Sequence, residues 1–490
     1  MTISAITSDT GSAGIADAFA TARETFRSGR TRSLQWRKAQ LEGLLAFIDE
    51  CEGEIAAAIG EDIGRGPMAT FMADVAPVRH EIRHTLGKLA GWMKPTSVSL
   101  NAATAPGKAW TMPEPKGVVL VIGAWNFPVL LTIHPLVSAL AAGNTAIVKP
   151  SELSGATAEL IARLLPRYLD PGAVRVITGD AAVSRELTAL PVDHIFFTGS
   201  TAVGREIMRS AAANLTPVTL ELGGKSPVIV ADDADIDAAA RRIAWAKSIN
   251  AGQACIAPDY VIVTESARPR LVERLIEELP ARASADSTRI VNRRHLDRLA
   301  NALAGHGGHQ IGGRVNVAEA DPSAPPGPPP PPLLANKARG GLCPAKLTVS
   351  PALVTDPDLD SQLMREEIFG PILPLISVPT IDDAIDFVND RPKPLALYVF
   401  TESRETERRV LENTSSGSVG INHMLYQLLV DELPFGGVGA SGMGRYHGKH
   451  GFDTFSHHKA VLRKSTRPDP AVTYPPYGRA MQAILRRVMG

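Results

Sequence analysis

Residues 117–133 read GVVLVIGAWNFPVLLTI, and this stretch decides the fold. The run approaches the length of a membrane span, but Asn126 and Pro128 interrupt it midway, and an interior proline removes a helical hydrogen bond. It reads instead as a buried strand over 118–122, a turn at Asn126-Phe127-Pro128, and a helix over 131–142 closed by Gly143-Asn144.

Beyond this segment, short apolar runs at 118–122, 145–148, 174–177, 194–197 and 218–220 alternate with helical stretches at 131–142, 154–165 and 201–213. Continuous apolar runs of this length are the signature of parallel strands covered on both faces, and parallel strands need crossover helices. The series therefore predicts an α/β fold with an open parallel sheet. Such sheets bind ligands beyond the carboxyl ends of their strands. That rule nominates Asn126, Lys149, Gly179, Ser200 and Glu221, which bring an amide, an amine, loop donors and a carboxylate to one edge.

On the amino-terminal side, residues 15–60 carry helical periodicity, clearest at Leu41, Leu44, Leu45 and Ile48, and helix continues to about Trp92. Residues 95–114 lack that period and predict an extended excursion. On the other side come a strand at 226–231, a helix at 235–250, the loop 251–254 ahead of Cys255, and a strand at 260–264. Mixed helices and strands follow to about 460. The proline-rich 322–332 cannot sit inside a helix or central strand and reads as a surface insert. The tail, 466–490, ends in an amphipathic turn with Met481, Ile484, Leu485 and Val488 on one face. Packing on a neighbouring domain or subunit is favoured over membrane-surface binding, because no second anchor accompanies it.

Composition limits the function classes. The 490 residues suffice for roughly three units of ~150 residues. Lys plus Arg and Asp plus Glu are both 51, so no global field draws the chain to nucleic acid or to a membrane. The three cysteines, Cys51, Cys255 and Cys343, form no CxxC pair, which argues against a disulfide framework or a zinc site and for a reducing compartment. No basic segment leads into an apolar one at the start, so the expected location is the cytoplasm.

Taken singly, Cys255 reads as an inert core thiol and Glu221 as a capping or salt-bridged carboxylate. The series changes that reading. GAWNFP (123–128), KPSE (149–152), FFTGSTAVG (196–204), VTLELGGKSP (218–227), NAGQACIAPDY (250–260), EEIFGP (366–371) and LPFGGVGASGMGRYHG (433–448) occur in one order. The whole, over about 20–460, closely resembles the aldehyde dehydrogenase superfamily. RRIAWAKSINAGQACIAPDYVIV, RPKPLALYVF and GRYHGKHGFDTFSH are similar to its class 3 branch, and within it most of all to bacterial coniferyl aldehyde dehydrogenases.

The resemblance implies a Rossmann-type sheet domain, a second α/β catalytic domain, and a β-extension for oligomerisation. It places the nucleotide-binding domain at 1–94 and 115–222, the catalytic domain at 223–451, and the extension at 95–114 and 452–465, the last implying a homodimer. It implies oxidation of an aldehyde, aromatic or medium-chain, with NAD or NADP. Cys255 becomes the nucleophile, Glu221 the general base, and Asn126 the oxyanion donor. Lys149 and Glu152 become adenosine-ribose contacts, Gly199 and Ser200 pyrophosphate neighbours, and Glu367 and Phe369 the nicotinamide-ribose contacts. The alternatives are a coenzyme A-acylating enzyme, against which Glu221 argues, and a non-catalytic relative of the fold.

Two further patterns are set aside. Gly437-Val438-Gly439-Ala440-Ser441-Gly442 satisfies GxGxxG, but no clear strand precedes it and no helix follows, so it reads as a structural loop beside the site. His447, His450, His457 and His458 lack companion ligands at metal spacing, and no metal is expected. His423 and Gln427 stand where relatives often carry Asp and His, near the expected aldehyde mouth.

Overall fold

The computed structural model describes residues 12–101, 104–283, 288–318, 346–467, 469 and 474–489. The proline-rich 322–332 and Cys343 lie outside the described residues. So do the side chains of Ile484, Leu485 and Val488, within a terminal helix spanning Arg479–Met489.

The strand-turn-helix of the opening segment is present as the strand Val118–Ile122 and the helix Leu130–Ala142, closed by Gly143 at φ 90°. Every residue of that strand is buried, as is every helix residue from Leu131 on. The strand is the pivot of a six-stranded sheet in the order 442–443, 218–222, 194–199, 118–122, 145–149, 174–176. The chain moves outward from it through 145–149 to 174–176, then returns to its other flank at 194–199 and 218–222. All pairings are parallel except that of Gly442–Met443. Reversal of winding at Val118–Ile122 opens a crevice beyond Ile122, where an open sheet takes its ligand. Register sets Ile122 opposite Lys149, Thr198 opposite Glu221, and Gly199 opposite Leu222, so one sheet edge gathers these groups.

One crossover helix, Ala181–Ala189, went unanticipated. Asp180 caps it, accepting from the N–H groups of Ala182 and Val183, a signal its short, half-exposed apolar face had obscured. The amino-terminal helices Leu34–Glu50 and Ala76–Trp92 pack on Leu130–Ala142, with a π-helical turn at Phe71–Val75 leading into the second.

A second, seven-stranded sheet runs 309–312, 352–355, 372–378, 260–264, 227–230, 396–400, 418–421, parallel except for its first strand. One hydrophobic cluster joins the two sheets, with Val119, Leu136, Leu140 and Phe196 on one side and Val228, Ile243 and Val261 on the other. Shortening Leu136 or Leu140, both fully buried, to Ala costs about 2–5 kcal/mol. The helix expected over 235–250 stops at Ser248 because Asn250 and Ala251 turn left-handed, at φ 53° and 52°.

The excursion forms a three-stranded antiparallel sheet of Thr96–Val98, Lys108–Pro115 and Ser456–Arg463, with Pro115 opposite Ser456 and Lys108 opposite Arg463.

Candidate active site

Asn126 follows the central strand. Gly123 allows that turn, since a Cβ there would lie 2.1 Å from Thr132 Oγ1. Asn126 is 3% exposed, and its Nδ2 donates to the Gln253 carbonyl at 3.1 Å, tying the first sheet to the loop that carries Cys255. One amide N–H remains for a ligand.

The Asn126 carbonyl is held from behind. It accepts from the Arg65 guanidinium and from Asn250 Nδ2 at 2.9 Å. Arg65 also donates to Asn250 Oδ1 at 2.6 Å and pairs with Asp74 at 2.5 Å. Asp74 in turn accepts from the N–H groups of Val129 and Leu130, at 2.9 and 2.8 Å, at the start of helix Leu130–Ala142. The ion pair is essentially buried, at 2% and 0% side-chain exposure. Gln253 donates to the carbonyls of Asn250 and Arg289 and accepts from Val291 N–H. Gly252, at φ 72°, passes so close to the backbone that a Cβ would lie 2.3 Å from Gly370 O. Arg65, Asp74, Asn250 and Gln253 were not singled out from sequence. Asn250 and Gln253 lie inside the quoted stretch 250–260 and could have been suspected from it, whereas Arg65 and Asp74 belong to no motif.

Cys255 stands partly exposed on the cleft wall. Burial first, then the Glu367 and Glu221 charges, push its thiol up to about 12, against the pull of its own and Ile256's backbone N–H groups. Glu221 is 3% exposed, and neither carboxyl oxygen has a hydrogen-bond partner among the described residues. Burial holds it well above the ordinary carboxylate range. Glu367 behaves alike: burial, reinforced by Asp259, raises it to about 8, although Gly224 N–H donates to it, and its Oε1 has no partner. Gly223 admits this carboxyl, because a Cβ there would lie 2.1 Å from Oε2. Burial thus shifts the thiol and both carboxyls in the same direction, upward.

The Glu367 segment is positioned by Arg298, which donates to the carbonyls of Glu367 and Ile368 at 3.1 and 2.6 Å, and by Asp259, which accepts from Ile368 N–H at 2.8 Å. Phe369 takes a positive φ of 47° and sets its ring edge-on to Trp125 at 5.5 Å. At the other end, Lys149 Nζ lies 2.5 Å from Glu152 Oε2. Ser200 caps helix Thr201–Ala212, its Oγ accepting from Val203 N–H at 3.4 Å.

All nine residues expected to carry the site, Asn126, Lys149, Glu152, Gly199, Ser200, Glu221, Cys255, Glu367 and Phe369, line one cleft of about 1010 Å³. Gly179 does not line it. The cleft runs from the Lys149–Glu152 pair, past a helix N-terminus, to an unpartnered carboxyl oxygen beside the thiol. That sequence of groups fits a dinucleotide: ribose hydroxyls at each end and phosphates at the helix start.

The glycine-rich 437–442 makes a short turn and an antiparallel bridge that sets Gly442 opposite Glu221. A Cβ on Gly442 would lie 2.1 Å from Leu220 O, so glycine serves close packing behind the Glu221 strand. His447 is buried against His134, ring centroids 4.3 Å apart. Among the described residues no group of three or more His, Cys, Asp or Glu is arranged to hold a metal. Gln427 Nε2 donates to Tyr398 Oη at 3.3 Å, and Tyr398 Oη donates to the Ile256 carbonyl at 2.8 Å, linking Gln427 to the thiol loop.

Comparison with known proteins accords with this geometry. Residues 2–304 and 335–461 match the aldehyde dehydrogenase family. Mouse aldehyde dehydrogenase family 3 member A2 is 44% identical, over 93% of this chain and 90% of its own length. The rat dimeric NADP-preferring aldehyde dehydrogenase is 42% identical, over 94% and 98%. The solved substrate-bound state of Staphylococcus aureus AldH superposes with a TM-score of 0.86 at 37% identity, covering 96% of this chain and 99% of that one. With a cysteine, two carboxyls and an amide meeting at the switch point of such a sheet, the chain belongs to the aldehyde dehydrogenase family, as an NAD(P)-dependent oxidoreductase of its class 3-like branch.

Proposed function

We propose that the enzyme oxidises an aldehyde to its carboxylate through a covalent bond to Cys255. The observation that carries this reading is the convergence of Cys255, Glu221 and Asn126 on one cleft. Ionised Glu221 takes the Cys255 thiol proton and passes it to solvent, and the resulting thiolate adds to the aldehyde carbon to give a thiohemiacetal. Its oxygen takes the free N–H of Asn126 and the Cys255 backbone N–H, a contribution of about 10²–10³ in turnover per donor. When bound, NAD(P)⁺ supplies a hydride acceptor and a positive charge beside the thiol. Loss of hydride from the former aldehyde carbon leaves a thioester on Cys255. Glu221, once ionised, takes a proton from the water that attacks this thioester, and the carboxylate leaves as the thiol re-forms. General-base help of this kind contributes about 10²–10⁴-fold.

Lys149 and Glu152 hold the adenosine ribose in this reading, Gly199 and Ser200 the pyrophosphate, and Glu367 the nicotinamide ribose, with Phe369 as its wall. The units 1–94 with 115–222, and 223–451, serve as nucleotide-binding and catalytic domains. The three-stranded sheet has two edge strands among the described residues, Thr96–Val98 and Ser456–Arg463, either of which can take a second copy, supporting a homodimer, as the rat relative's name states for that protein. Aromatic and medium-chain aldehydes are the proposed substrates and the cytoplasm the proposed location. Among the described residues no helix is long and apolar enough to cross a membrane.

The test is aldehyde-dependent formation of NADH or NADPH across a panel of aldehydes, with analysis for free acid. The reading expects free acid without coenzyme A and abolition by Cys255→Ala. Undiminished turnover in that variant overturns it.

A further inference from the structure

A second cavity, of about 220 Å³, is lined by Arg241, Arg242, Trp245, Arg282, His423 and Tyr426 and, among the described residues, shares none with the catalytic cleft, so His423, expected near the aldehyde mouth, lines this hollow instead. Its chemistry is specific. Among the described residues three guanidiniums line it and no carboxylate does. Arg282 is paired with Glu278 at 2.8 Å, whereas Arg241 and Arg242 make no ion pair among the described residues; Arg242 instead donates to the Asn422 carbonyl. In a chain of zero net charge, two uncompensated guanidiniums in one hollow form a local anion site, because the arginine fork matches a carboxylate.

The remaining walls are aromatic. His423 stacks on Tyr426 with centroids 3.9 Å apart, and Trp245 stands edge-on to both at 6.0 Å. Tyr426 is 53% exposed, leaving ring surface open for a flat ligand. The backbone that presents these rings is strained: Asn422 and Leu425, on either side of His423, have φ of 52° and 67°. For a leucine this conformation is a genuine outlier, and such strain gathers at ligand clamps.

We propose that this hollow is a binding site for a small planar aromatic carboxylate, its ring against Trp245 and the His423–Tyr426 stack and its carboxylate on Arg241 and Arg242. The volume accommodates one substituted ring. This is the class of acid that oxidation of an aromatic aldehyde releases, so the identification with product rests on the function proposed above. Binding itself does not, and the test separates the two.

The probe is cinnamate, titrated calorimetrically at low ionic strength into protein alkylated at Cys255 to obstruct the catalytic cleft. One site is expected, weakened at least about tenfold by Arg241→Ala and at least about tenfold when cinnamamide replaces cinnamate. Arg241 is exposed and outside the catalytic cleft, so the variant should fold and retain turnover. Acetate, which lacks the ring, and inorganic phosphate should bind more weakly than cinnamate. Binding that ignores Arg241→Ala, equal binding of the amide, or no binding overturns the proposal. Failure of aldehyde turnover alone leaves the site standing and removes only its link to product.

Discussion

Replacing Arg65 by Met tests whether the catalytic amide is set by a buried ion pair behind it. Arg65 contacts Asp74, the Asn126 carbonyl and Asn250 Oδ1, all within the interior. Removing one partner of a buried pair costs about 3–5 kcal/mol, because the other charge is left uncompensated. Asp74 retains two backbone donors, Val129 and Leu130 N–H, which places the loss near about 3 kcal/mol. Released on its carbonyl side, Asn126 shifts its Nδ2, and a displacement on the order of 1 Å costs about 10²-fold in turnover. Adding Asp74→Asn removes the stranded charge and should restore part of the stability without restoring turnover, separating folding from positioning. The assays are apparent unfolding temperature for both variants and kcat at saturating cofactor. If Arg65→Met keeps kcat within about threefold of the parent, against the expected ~10²-fold loss, the network does not position the amide.

Three other outcomes follow from the site. In the ligand-free enzyme the folded state keeps the Glu367 proton up to about 8 whereas the unfolded chain releases it near 4.5; the folded state binds more protons in that window, so stability falls as pH rises through it. Unfolding temperature against pH should therefore decline less steeply in Glu367→Gln than in the parent, and equal slopes would count against the shift. Alkylation of Cys255 without cofactor should keep accelerating with pH and show no plateau near neutrality, since the thiol is pushed up to about 12. Added NAD⁺ should accelerate it at fixed pH. Glu152→Gln removes the carboxylate beside Lys149 and should shift the kcat/KM ratio toward NADP by about tenfold, a modest change because the group is partly exposed to screening solvent.

The sheet edge was legible because burial on both faces writes short apolar runs into the sequence, and strand ends then point to the residues after them. Asn126, Lys149, Ser200 and Glu221 emerged in this way, and Cys255 with Glu367 through their motifs. Gly179 obeyed the same rule yet does not line the cleft, and a Cβ there would meet Val183. What escaped was long-range: Arg65 meets Asn126 across 61 residues and Asn250 across 185, and no local periodicity records such a meeting. The helix expected to reach residue 250 stopped early for a related reason. Asn250 adopts a left-handed turn and puts its amide on the Asn126 carbonyl, a tertiary contact that overrides the helical pattern.

The most direct measurement is the intact mass of Glu221→Gln enzyme mixed with an aldehyde substrate and NAD⁺, followed by peptide mapping. Without a base to activate water, the added mass should equal the acyl group and map to Cys255. If aldehyde is consumed and NADH appears while Cys255 is never found acylated, oxidation does not pass through that sulfur.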